Sequence, residues 1–101
     1  MDIAIEGARL VLCGDFDVRS TGEVRRALYT LLSEQNDVVV DLTGVTTVDL
    51  TALRVLAAAT RQAGRDGHRI RLYGCGPAVT RLLHMSRLIR VVEVERVPVS
   101  A

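Results

Sequence analysis

Five consecutive residues, Val38-Val39-Val40-Asp41-Leu42, constrain this chain most. Three β-branched residues in a row favour extended backbone, because each loses side-chain freedom against a preceding helical turn. The run is too continuously apolar for a strand with one face in water. It reads as a central strand covered on much of both faces.

The flanking segments supply the covering layers. Ile3 and Ile5, then Leu10-Val11-Leu12, read as two short strands around a turn at Glu6-Gly7, and a turn that tight predicts antiparallel pairing. Gly14-Asp15-Phe16-Asp17 ends the second of them. Ser20-Thr21-Gly22-Glu23 has the capping-box form, a hydroxyl followed three residues later by a glutamate. Val24, Ala27, Leu28, Leu31 and Leu32 then recur at helical spacing until Asn36-Asp37. Thr43-Gly44 reads as a turn after the central strand. Leu53, Leu56, Ala57, Thr60 and Ala63 form a second helical stripe, with stop signals at Gly64 and Gly67. Ile70 and Leu72 alternate within a further strand, Gly74-Cys75-Gly76 reads as a loop, and Pro77 suits the first position of a third helix with Val79, Leu82 and Leu83 inward. Val91 to Val97 reads as a last strand, stopped or confined to an edge by Pro98. The order β-β-α-β-α-β-α-β predicts an α/β fold with a mixed, mostly parallel sheet and right-handed crossovers.

Length and composition narrow the function. One hundred and one residues, half of them hydrophobic, predict a single domain over 1–101. Three aromatics against 15 valines and 13 leucines make the core aliphatic and argue against a base-stacking platform. A net charge of +1 argues against direct nucleic-acid binding. All thirteen basic residues are arginine, which excludes a Walker-type phosphate loop and lysine Schiff-base chemistry. No apolar run approaches the roughly 20 residues of a membrane span, and Met1-Asp2 does not open a signal peptide. Cys13 and Cys75 read as small core residues of a reduced, cytoplasmic domain. They form no metal-ligand spacing with His68 and His84, both read as surface residues, so no metal is expected. Gly74-Cys75-Gly76 lacks the third glycine of a dinucleotide fingerprint, and no cofactor is expected. No hydroxyl pairs with a histidine at recognisable spacing, which argues against an enzyme.

The segment Asp41-Leu42-Thr43-Gly44-Val45-Thr46-Thr47-Val48-Asp49-Leu50-Thr51-Ala52-Leu53 carries the most information. It leads from a buried strand to a helix start bearing an acid and a hydroxyl. Asp49 can accept backbone N–H groups there, and Thr51 falls in the first turn, expected exposed. Both residues also suit a purely capping role. Arg54, Arg61 and Arg65 form a stripe on the solvent side of this helix. It reads as a solvated face or as a contact for an acidic partner, and Arg54 lies within reach of a phosphate on Thr51.

Three of these pieces together resemble the STAS domain family of sulfate transporters and anti-sigma factor antagonists. They are Gly14-Asp15-Phe16-Asp17 after the second strand, Asp41-Leu42-Thr43-Gly44-Val45, and Asp49-Leu50-Thr51-Ala52-Leu53 opening the second long helix. The resemblance spans nearly the whole chain and implies helices packed mainly on one face of the sheet. It also implies an anti-sigma factor antagonist. Such a protein binds an anti-sigma factor serine/threonine kinase when unphosphorylated, and is released on phosphorylation of the residue matching Thr51. The implied partner-binding residues are Asp17, Asp49, Leu50, Thr51, Ala52 and Arg54. Leu50 stands where the family has a small hydroxyl residue, and Ala52 where it has glycine, whose replacement narrows access to the backbone. These two departures motivate the alternative, an unphosphorylated structural or scaffold subunit of a transporter or signalling assembly.

Overall fold

Apolar residues recur at every second position in the strands and every third or fourth in the helices. The computed structural model, which describes residues 1–95, shows what those periods build. The elements are β1 (Asp2–Glu6), β2 (Arg9–Phe16), α1 (Thr21–Glu34), β3 (Asp37–Val48), α2 (Leu50–Arg65), β4 (Arg69–Tyr73), α3 (Pro77–Met85), a 3-10 turn at Leu88–Arg90, and β5 (Glu93–Glu95). The sheet order is β1-β2-β3-β4-β5. β1 pairs antiparallel with β2, and every later pair is parallel. Right-handed crossovers stepping one way across a sheet place their helices on one face. Leu10, Leu12, Val38, Val40, Ile70 and Leu72 are buried on that face, in one core with Val24 and Leu28 of α1 and Leu53 and Leu56 of α2.

The central strand departs from its expected double burial. Burial alternates along β3, with Val38, Val40 and Leu42 buried but Val39 and Asp41 only half-buried. Long polar side chains cover the second face instead of a layer of structure. Arg9 and Arg71 flank Val39 in register. Arg9 donates to Asp41 Oδ2 at 3.0 Å, and its guanidinium lies 5.0 Å from the Tyr73 ring centroid. Arg71 pairs with Glu95 at 3.7 Å, and Arg69 with Glu93 through Nε at 2.6 Å. Burial raises the Asp41 pKa, but hydrogen bonds from Thr43 and Arg9 outweigh it and hold the carboxyl below its ordinary range.

Thr43-Gly44 is not a turn. β3 runs on to Val48, and register shifts between Val11/Cys13 and Gly14/Asp15 absorb the irregularity. Gly44 answers to a close approach, since a Cβ there would stand 2.5 Å from Cys13 Sγ. Gly74 packs still closer, with φ +71 and a Cβ position 2.1 Å from Thr43 Oγ1 and 3.0 Å from Thr43 N. Cys13 is exposed rather than in the core. Cys75 is half-buried, and burial pushes its thiol pKa up to about 11. His84 is exposed and His68 half-buried.

The capping box at Ser20 does not form. Ser20 Oγ turns back into the preceding bend, accepting from the Asp17 N–H at 3.2 Å and donating to the Asp17 carbonyl at 3.1 Å. Glu23 stays exposed. β5 starts at Glu93, two residues later than the expected strand, because Val91 and Val92 still belong to the turn that leaves the 3-10 segment, and positions 96–98 of that expectation lie outside the described residues.

Candidate functional site

Asp49 joins two segments distant in sequence. As N-cap of α2 it accepts from the Ala52 N–H through Oδ1 at 2.8 Å, and from the Val18 N–H through Oδ2 at 3.1 Å. Its own N–H donates to the Phe16 carbonyl at 3.2 Å. One side chain thus caps the helix and clamps the bend after β2 against it. The bend is tied to β3 as well. Asp15 Oδ1 accepts from the hydroxyls of Thr47 at 2.7 Å and Thr46 at 3.0 Å, and these bonds lower the Asp15 pKa. Asp17 is gripped by Arg19, whose Nη2 and Nε lie 2.7 and 3.2 Å from its two oxygens and whose backbone N–H is at 2.9 Å. These bonds lower the Asp17 pKa and raise that of Arg19.

Of the residues singled out in the sequence, Asp17, Asp49, Leu50 and Thr51 are brought to one end of the sheet through the Val18–Asp49 bond. Thr51 is exposed, and among the described residues its hydroxyl makes no hydrogen bond. Leu50 is half-exposed beside it. Arg54 is exposed one turn on, with no carboxylate within 4 Å among the described residues. Ala52 does not join this surface, because it is fully buried and its methyl packs in the core. Val18 does join it, at 60% exposure, and the sequence reading passed it over. The available signal was an apolar residue held between Asp17 and Arg19 in a bend too short to bury it.

A shallow cavity of about 300 Å³, lined by Met1, Asp15, Asp17, Arg19, Ser20 and Glu23, opens beside the bend. A larger cavity, about 650 Å³, lies elsewhere, between α3, the 3-10 turn and β5, and touches none of these residues. Among the described residues no helix is long and apolar enough to cross a membrane, and no three of His, Cys, Asp and Glu converge as metal ligands. The arrangement offers a free hydroxyl at the positive end of a helix, rimmed by two apolar side chains and two acids already satisfied by local bonds.

Solved structures share this fold. An anti-sigma factor antagonist from Mycobacterium paratuberculosis superposes with a TM-score of 0.77 at 19% identity, covering 95% of this chain and 84% of that one. The unphosphorylated anti-sigma factor antagonist SpoIIAA superposes at 0.72 and 14% identity, covering 94% and 87%. A sulfate transporter family protein from Wolinella succinogenes superposes at 0.73 and 15% identity, covering 85% and 73%. No curated protein sequence matches. Residues 1–93 match the family described as Mlab, STAS domain. With that match over nearly its whole length, and with the mixed sheet and three helices of the fold, the chain belongs to the STAS domain family.

Proposed function

We propose that residues 1–101 form a single STAS domain acting as an anti-sigma factor antagonist in bacterial partner switching. The carrying observation is Thr51, a solvent-exposed hydroxyl in the first turn of α2 with no hydrogen bond among the described residues. A hydroxyl held by a neighbour would have to be released before reaction, whereas this one is open to a kinase. Unphosphorylated, the Val18, Leu50 and Thr51 surface packs against a cytoplasmic anti-sigma factor kinase. The domain is a binding module and the partner supplies the ATP chemistry. The kinase transfers the γ-phosphoryl group to Thr51 Oγ1, ADP leaves, and the hydroxyl proton passes to the kinase. Phosphothreonine carries about −1.5 to −2 charges at neutral pH. Arg54 lies within reach of that charge and the helix dipole tolerates it, so the fold persists while the desolvated contact is lost. In support, SpoIIAA has been solved in a phosphorylated as well as an unphosphorylated form.

The test is binding to the cell's own anti-sigma factor kinase, with intact-mass readout after ATP. Wild type and Thr51→Ala bind, only wild type gains a phosphate, and Thr51→Glu loses about tenfold or more in affinity. Equal binding by Thr51→Ala and Thr51→Glu sinks the switch.

A second reading rests on the apolar rim and the matched family. Leu50 and Val18 suit a permanent contact, and Mlab describes the family. In that reading the domain is an unphosphorylated subunit of a transporter or larger assembly. A complex that resists high salt and ignores ATP and Thr51→Glu would favour it.

A further inference from the structure

The arginines are unevenly distributed along the chain and over the fold. Residues 1–49 hold four arginines and nine acids, whereas residues 50–92 hold eight arginines and only Asp66. Arg9, Arg19, Arg69 and Arg71 each have a carboxylate partner within 4 Å. Among the described residues Arg25 of α1 and Arg54, Arg61 and Arg65 of α2 have none, and all four are exposed.

Three of these arginines stand at a defined notch, Arg25 in its lining and Arg54 and Arg61 beside it. Arg25, Tyr29, Val55 and Ala58 line a cleft of about 110 Å³ between α1 and α2. The Arg25 guanidinium sits 5.8 Å from the Tyr29 ring centroid, which holds it over the cleft wall. Ala58 is exposed and lies four residues after Arg54 and three before Arg61, so both arginines stand beside the notch on one helix face. Two helical turns separate them by about 10 Å. Carboxylates two turns apart on a facing helix have the same spacing.

We propose that the α1–α2 cleft docks an acidic helical segment of a partner protein. One leucine-sized side chain enters the notch over Ala58, and flanking carboxylates pair with Arg25, Arg54 and Arg61. Charge complementarity selects the class of partner. Guanidinium groups hold carboxylates through paired, parallel N–H bonds, and the small Ala58 methyl leaves room for an inserted side chain. A lipid surface fits less well. Among the described residues the exposed large apolar side chains are Ile5, Val18 and Met85, none of which lines this cleft, so these residues give the face nothing to insert among acyl chains. The surface does not depend on Thr51 being phosphorylated, and neither the cleft nor its arginines are used by the switch except Arg54.

The test uses the full chain and a labelled helical peptide with one leucine between glutamates two turns apart. Controls are the same peptide with glutamine for glutamate, phosphatidylglycerol vesicles, and duplex DNA. The expected result is saturable binding of the glutamate peptide, with amide NMR shifts centred on Tyr29, Val55 and Ala58. Affinity should fall about tenfold for Arg54→Gln/Arg61→Gln and again for the glutamine peptide. Arg25→Gln should weaken binding while leaving kinase binding unchanged, and Thr51→Ala should bind the peptide like wild type. Shifts centred elsewhere, equal binding of the two peptides, or tighter arginine-dependent binding of vesicles or DNA would overturn the proposal. Loss of kinase binding by Thr51→Glu bears on the switch alone, so the two ideas fail separately.

Discussion

The open face of the sheet and the outer face of the helices both carry arginines, but on opposite terms. On the sheet, Arg9, Arg69 and Arg71 meet Asp41, Glu93 and Glu95. On the helices, Arg25, Arg54, Arg61 and Arg65 meet no carboxylate among the described residues. The cause is geometric. Neighbouring strands bring residues far apart in sequence side by side, as when β4 and β5 set Arg71 against Glu93 and Tyr73 against Glu95. A helix surface pairs residues three or four apart, and α2 places Ala57, Ala58, Gly64 and Arg65 where an acid would answer Arg54 and Arg61. The sheet face is closed on itself; the helix face is left with unspent charge.

The contrast can be broken at its structural end first. Gly74→Ala should cost the most, about 3 kcal/mol, because a positive φ and a backbone clash with Thr43 combine where β3 and β4 meet. Gly64→Ala, on the exposed side of α2 where a Cβ meets nothing within 4 Å, is the control, and urea midpoints report both. Asp49→Ala comes next, at about 1–2 kcal/mol, since it strips the cap from α2 and the clamp from Val18. Hydrogen exchange should speed at Val18 and Ala52 while the core of β3 stays protected. The smallest effects compare the two faces directly. Asp41 has a depressed pKa, so its contribution is present above its unfolded pKa of about 3.9 and is lost as pH falls through the lower folded value. Asp41→Asn should therefore flatten the acid side of the stability curve, whereas Arg61→Gln should leave stability within about 0.5 kcal/mol at every pH. A pH-dependent loss in Arg61→Gln would show that the helix face is paired after all.

Much of the architecture was legible because it rests on periodicity. The inward stripe of α2 and the Pro77 start of α3 are set by residues within a few turns of each other. What escaped depends on neighbours distant in the chain. Gly44 suggests a turn until Cys13 of the adjacent strand is seen to crowd it. Ser20-x-x-Glu23 matches a capping box, but the hydroxyl finds the Asp17 backbone first. The run of three valines suggests burial on both faces, yet Val39 has only the flanking arginine stems over it and stays half-buried. At the candidate site, Asp49 as a cap and Thr51 as an exposed hydroxyl follow from local pattern. The Asp49 bond to Val18, 31 residues away, does not, nor does the burial of Ala52.

The parallel run β2-β3-β4 has a further effect on the molecule's electrical shape. Each of these strands is followed by a helix, so α1, α2 and α3 all start toward the carboxyl ends of the strands, with α3 set back because β4 stops opposite Asp41 while β3 runs on to Val48. Each helix start is equivalent to about half a positive charge. Two of them, those of α1 and α2, lie beside Asp15, Asp17 and Asp49, and the three carboxylates there outweigh the two dipoles even with Arg19 paired to Asp17. A phosphate arriving at Thr51 would deepen a field that is already negative, so its effect on a partner is repulsion added to repulsion.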